Sequence, residues 1–99
     1  MSNEIYSPDR IGEILAPVFE KHNVKKAVLF GSYAKGSAAK NSDVDILVDS
    51  GLKGLKFFGL LEDVVTSLDK SVDLIDTSQI VSNSEIENEI LKSGVVIYG

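Results

Sequence analysis

At 99 residues, with 43% apolar and 25% charged positions, the chain has the make-up of one globular domain, read as residues 1–99, with no room for a second substrate-binding domain. Its net charge of −5 gives no general help in binding polyanions, which argues against a free-standing polymerase and against direct nucleic-acid binding. The absence of cysteine excludes disulfides, zinc–thiolate sites and thiol nucleophiles, and the short apolar runs and lack of a signal sequence point to a cytoplasmic protein without a membrane span.

Residues 1–6 read as a short tail. Ser7-Pro8 then supplies a helix start, with serine as N-cap and proline in the first turn. Ile11, Ile14, Leu15, Val18 and Phe19 follow the spacing of an amphipathic helix, which Pro17 should kink or start later and Asn23 should end. Lys25 to Phe30 is an apolar strand, expected to be covered on both faces. One helical turn over Ser32 to Lys35 and a loop lead to a second strand, Asp43 to Asp49. A helix over Leu55 to Leu68 carries a broad apolar stripe that includes Phe57 and Phe58, read as core. Ser71 to Asp76 is a third strand. Ser84 to Glu87 fits a capping box for a helix to about Lys92, Gly94 suits its C-terminal cap, and Val95 to Tyr98 is a last strand.

The chemistry concentrates at Gly31-Ser32 and Asp43-Val44-Asp45. Alternate strand residues face the same side, so the Asp43 and Asp45 carboxylates should emerge together, roughly 6.6 Å apart at Cα for a rise of about 3.3 Å per residue. Adjacent carboxylates repel unless a cation lies between them, and a hard cation, Mg²⁺ above all, is the natural occupant. Gly31 and Ser32, directly after an apolar strand, can turn backbone N–H groups toward a phosphate. Asp73 sits between Val72 and Leu74 in an apolar strand, where a carboxylate is costly unless paired or coordinating. Strand parity separates it from Asp76, which with Thr77-Ser78 reads as a turn former. Tyr33 and Ala34 read as packing residues, Lys40 as solvent-facing, and His22 as a helix-end residue favoured by the helix dipole.

Gly31-Ser32, ten intervening residues and Asp43-x-Asp45 resemble the signature of the nucleotidyltransferase superfamily, and the chain is most similar to its minimal members, the MNT antitoxins of HEPN/MNT toxin–antitoxin pairs. The resemblance runs from about Ile11 to Tyr98. It implies an α/β, polymerase-beta-like fold, a small mixed sheet with packed helices. It implies Mg²⁺ held by Asp43, Asp45 and Asp73, which are also the catalytic residues, and a nucleotide held by Gly31, Ser32 and Lys35. Many relatives carry arginine where this chain has Lys35, which keeps the charge but loses the bidentate fork. The implied reaction is transfer of AMP from ATP to a hydroxyl, a tyrosine of a HEPN-type toxin bound in a hetero-oligomer. Two other classes remain open. One is a nucleotide-binding antitoxin that acts by contact, against which the intact carboxylates argue. The other is a small-molecule nucleotidyltransferase, of which the aminoglycoside enzymes carry a helical domain not found in this sequence.

Overall fold

The computed structural model describes residues 4–99. The elements run α1 (Pro8–Lys21), β1 (Lys26–Phe30), α2 (Gly31–Lys35), β2 (Val44–Asp49), α3 (Leu55–Leu68), β3 (Val72–Asp76), a 3-10 turn (Thr77–Gln79), α4 (Glu85–Ser93) and β4 (Val95–Tyr98). That is the expected order, with ends moved by a residue.

The start of α1 is capped as anticipated: Ser7 Oγ accepts the Arg10 N–H at 3.1 Å. Pro17 neither delays nor splits the helix. Proline leaves the carbonyl four residues back without its helical donor. Here that carbonyl belongs to Glu13, and both residues are exposed, so water can serve it. Asn23, at φ 56°, follows the helix in the left-handed conformation. Of the supposed tail, residues 1–3 lie outside the described residues. Tyr6 is no loose end: it packs against the core, and its hydroxyl donates to Leu68 O at 3.1 Å.

The sheet order is β3-β2-β1-β4. β1 is antiparallel to both β2 and β4, whereas β2 and β3 run parallel, so the sheet is mixed. Ile11, Leu15 and Phe19 of α1 and Leu60, Val64 and Leu68 of α3 pack on Ala27, Leu29, Val44, Ile46, Val48 and Leu74, forming the core on one face of the sheet. The stripe on α3 is narrower than its composition suggests: Phe57 is partly buried, but Phe58 is 54% exposed on the far side of the helix. His22 finds a partner more specific than the helix dipole. Its Nε2 lies 2.7 Å from Asp63 Oδ2, and Lys21 Nζ lies 3.2 Å from the same oxygen, tying the end of α1 to α3.

Among the described residues, the opposite face carries α2 and α4, with Thr77 and Ile80 beside Leu47 of β2. Ser84 Oγ accepts the Glu87 N–H, so the predicted helix start is in place, but Glu87 Oε1 accepts the Asn83 N–H rather than that of Ser84, so the second half of the expected capping box is shifted by one residue. Gly94 ends α4 for a different reason from the one expected. Its backbone is extended, with φ −67°, so no left-handed turn demands glycine. A Cβ there would stand 2.5 Å from Ile90 O and 2.9 Å from Val28 Cγ1, so glycine lets the chain leave α4 tightly and lets the helix end close down on β1. On that face Val28 is partly covered and Phe30 is 4% exposed, so β1 is covered on both faces toward its C-terminal end, as expected.

Candidate active site

The open face collects the acids. In the antiparallel register Phe30 pairs with Asp45, and in the parallel register Asp45 pairs with Asp73. Asp45 thus stands between the end of β1 and an acid on the neighbouring strand. Asp43 lies one residue before β2 and, two residues from Asp45, on the same side. Leu74 on β3 faces the core, so Asp73 faces away from it, beside Asp45, and is exposed. The burial argument first made for Asp73 therefore fails: a polar-facing position costs a carboxylate little. The buried acid of β3 is Asp76, 4% exposed. Its Oδ1 accepts from the Ser50 N–H and hydroxyl, and its Oδ2 accepts from the Ser78 N–H and hydroxyl. Asp76 also caps the 3-10 turn, so it is the turn former expected, with a structural task added. Burial raises its pKa, but those four hydrogen bonds outweigh it and hold the group at about 2.

Directly after Phe30 the chain turns at Gly31, φ +73°, and enters α2. A Cβ on Gly31 would collide with the Asp45 carboxylate, so glycine is required here by both conformation and space. Ser32 follows, partly exposed, and Tyr33 is buried in the core as predicted. The loop to β2 is closed by Ser42 Oγ accepting the Ala39 N–H and by Lys70 Nζ donating to Lys40 O. The fold thereby brings Gly31, Ser32, Asp43, Asp45 and Asp73 to one side of the sheet.

The electrostatics of that side are strained. Asp45 is pushed up from 3.8 to about 6, first by partial burial, then by the charges of Asp73, Asp43 and Glu89. Among the described residues, no three Asp, Glu, His or Cys side chains converge as a finished metal cage. The donor set nevertheless suits a hard divalent cation. Carboxylates carrying uncompensated charge are the ligands Mg²⁺ takes, one or two at a time, with phosphate and water oxygens filling its shell.

Lys35, exposed at the end of α2, has an ion-pair partner on α4. Its Nζ is 2.9 Å from Glu89 Oε1 on α4, so its charge is already engaged. Glu89 was not anticipated from the sequence. It sits among solvent-facing acids of an amphipathic helix, and nothing local marks it; only the packing of α4 beside α2 brings it to Lys35 and Asp45.

A mixed four-stranded sheet with a glycine turn against acids on its open face defines a class, the nucleotidyltransferases. The chain belongs to the family Polymerase beta, Nucleotidyltransferase, which it matches over residues 13–99. It is 38% identical over 80 residues to the protein adenylyltransferase MntA of Thermococcus cleftensis, covering 79% of each chain. A Methanocaldococcus jannaschii protein provisionally named a protein adenylyltransferase is 36% identical over 69 residues, which is 67% of this chain and 73% of that one. Among solved structures, a toxin–antitoxin crystallised with AMP-PNP superposes with a TM-score of 0.76 at 24% identity, over 89% of this chain and 73% of that one. The MNT antitoxin complexed with tri-AMPylated Shewanella oneidensis HEPN toxin gives 0.70 at 20% identity, over 93% and 72%. At those identities the two structures speak to the fold. No helix among the described residues is long and apolar enough to cross a membrane.

Proposed function

We propose that this nucleotidyltransferase moves AMP from ATP to a tyrosine hydroxyl of a HEPN-type partner protein and silences it by that modification. The observation that carries the reading is the placement of Asp45, with Gly31 against its carboxylate and Asp73 beside it in register. The names of the relatives support the protein acceptor, and the small surface left by one sheet and its helices suits an acceptor that brings its own binding surface.

Asp43 and Asp45 would hold Mg²⁺, with Asp73 completing the set. That ion, when bound, neutralises charge on the triphosphate and on the departing pyrophosphate. Backbone N–H groups at the Gly31 turn and the Ser32 hydroxyl grip the outer phosphates, leaving the α-phosphorus open to attack in line. The tyrosine oxygen forms a bond to the α-phosphorus as the bond to the bridging oxygen of the β-phosphate breaks. Pyrophosphate leaves with that oxygen, and a carboxylate oxygen of Asp73 takes the hydroxyl proton.

Co-expression with a HEPN-type protein, followed by intact-mass spectrometry, tests the reading. AMP-sized additions to the partner are expected with wild type and absent with Asp43→Asn. A partner silenced equally by Asp43→Asn, with no added mass in wild type, would leave contact alone as the activity.

A further inference from the structure

Glu89, an acid near the cluster, holds a cation in the structure. It stands on α4, one turn before that helix closes on β1 at Gly94. Its carboxylate pairs with Lys35 Nζ at 2.9 Å, with side chains 33% and 50% exposed. It also adds to the field that burdens Asp45. The pair opens onto a hollow of about 630 Å³ lined by Lys35, Asn88, Glu89, Lys92 and Ser93. Lys92 is three residues beyond Glu89, a spacing at which helix side chains meet.

We propose that Glu89 is a positioning residue: it keeps Lys35 engaged against α4 in the nucleotide-free protein and yields it to the outer phosphates when the nucleotide arrives. The proposal rests on the nucleotidyltransferase reading above and on a phosphate role for Lys35.

Three features suit such an exchange. The pair is half exposed, and exposed pairs contribute little to stability, so it is not a rivet for α4. A triphosphate carries several charges where Glu89 offers one, so it outbids the carboxylate for the ammonium. Lysine suits a transferred contact, being a flexible point charge without the fixed fork of arginine. Once Lys35 leaves, Glu89 is not stranded, because Lys92 lies one helical turn along the same hollow. The pair therefore acts as a mild brake: nucleotide binding must first displace Glu89.

The test is titration with AMP-PNP in the presence of Mg²⁺, on wild type, Glu89→Gln, Lys35→Ala and the double variant. Glu89→Gln should bind about two- to five-fold more tightly at low salt, the range expected from releasing an exposed pair. The gain should shrink at high salt and disappear in the Lys35→Ala background, and in transfer assays KM should fall while kcat holds. An unchanged affinity in Glu89→Gln would overturn the proposal. So would an equal gain with and without Lys35, since Glu89 would then act only by repelling the nucleotide. Wild type binding no better than Asp43→Asn would overturn the metal-and-phosphate reading as well, which separates the two failures.

Discussion

The Asp45 carboxylate occupies the space into which a side chain on Gly31 would project. The contact follows from register: Asp45 is opposite Phe30, the residue before Gly31. Gly31→Ala would add a left-handed strain of about 1–2 kcal/mol and push the carboxylate aside. Displacing a reacting group by about 1 Å can cost about 100-fold in rate, so transfer should fall by that order while the protein still folds. Circular dichroism with a transfer assay checks both halves. Full activity in Gly31→Ala would show that the tight contact is not needed.

Asp45 also makes stability depend on pH. Its pKa is about 6 folded against 3.8 for the free group, so the folded state binds that proton more tightly. Its contribution is fully present below 3.8 and is lost as pH rises through about 6. Asp45→Asn should therefore melt higher than wild type at pH 8 without Mg²⁺, and the difference should vanish near pH 4. In wild type, Mg²⁺ should raise the melting temperature at pH 8 and lose that effect as protons compete for the carboxylates below about 6. Thermal melts across pH, with and without EDTA, decide this. An Asp45→Asn protein that melted lower at every pH would make the acid structural.

The other displaced acid acts in the opposite sense. Asp76 is held at about 2, so its stabilisation is present above 3.8 and lost as pH falls through about 2. Asp76→Ala strips Ser50 and Ser78 of their acceptor and leaves the buried Ser50 donors unpaired. A loss of about 2–3 kcal/mol is expected, from the range for hydrogen bonds to charged groups. Urea denaturation of Asp76→Ala at pH 7 measures it. A change below about 0.5 kcal/mol, the level of an ordinary surface substitution, would contradict the role.

Tyr33 offers a gain instead. Its hydroxyl is buried without a hydrogen-bond partner among the described residues, while its ring packs in the core. Leaving a buried polar group unpaired costs about 1–3 kcal/mol, so Tyr33→Phe should raise stability by about 1 kcal/mol. For a domain of this size that is a rise of about 4–8 °C in Tm. A lower Tm would mean that the hydroxyl is satisfied after all, by water.

The elements were legible because their signals are local. Ser7-Pro8 and Ser84 mark helix starts within a few residues, and alternation along β2 sets which side Asp43 and Asp45 share. Pro17 was legible as a helix breaker and Gly94 as a helix cap, but not in their consequences. Whether a proline disrupts depends on where the orphaned carbonyl points, and whether a glycine is needed depends on what approaches it.

By itself the sequence determined the strand–turn–strand frame, the pairing of Asp43 with Asp45 on one side, and the opposite faces of Asp73 and Asp76. Each is a matter of period along one segment. Only the tertiary structure decided that Asp73 is exposed and Asp76 buried, that Asp45 fills the space beside Gly31, and that Glu89 reaches Lys35. Those relations depend on register between strands and on how closely α4 settles on the sheet. Periodicity fixes the direction of a side chain, but its neighbours and its charge environment are set by segments far away in the chain.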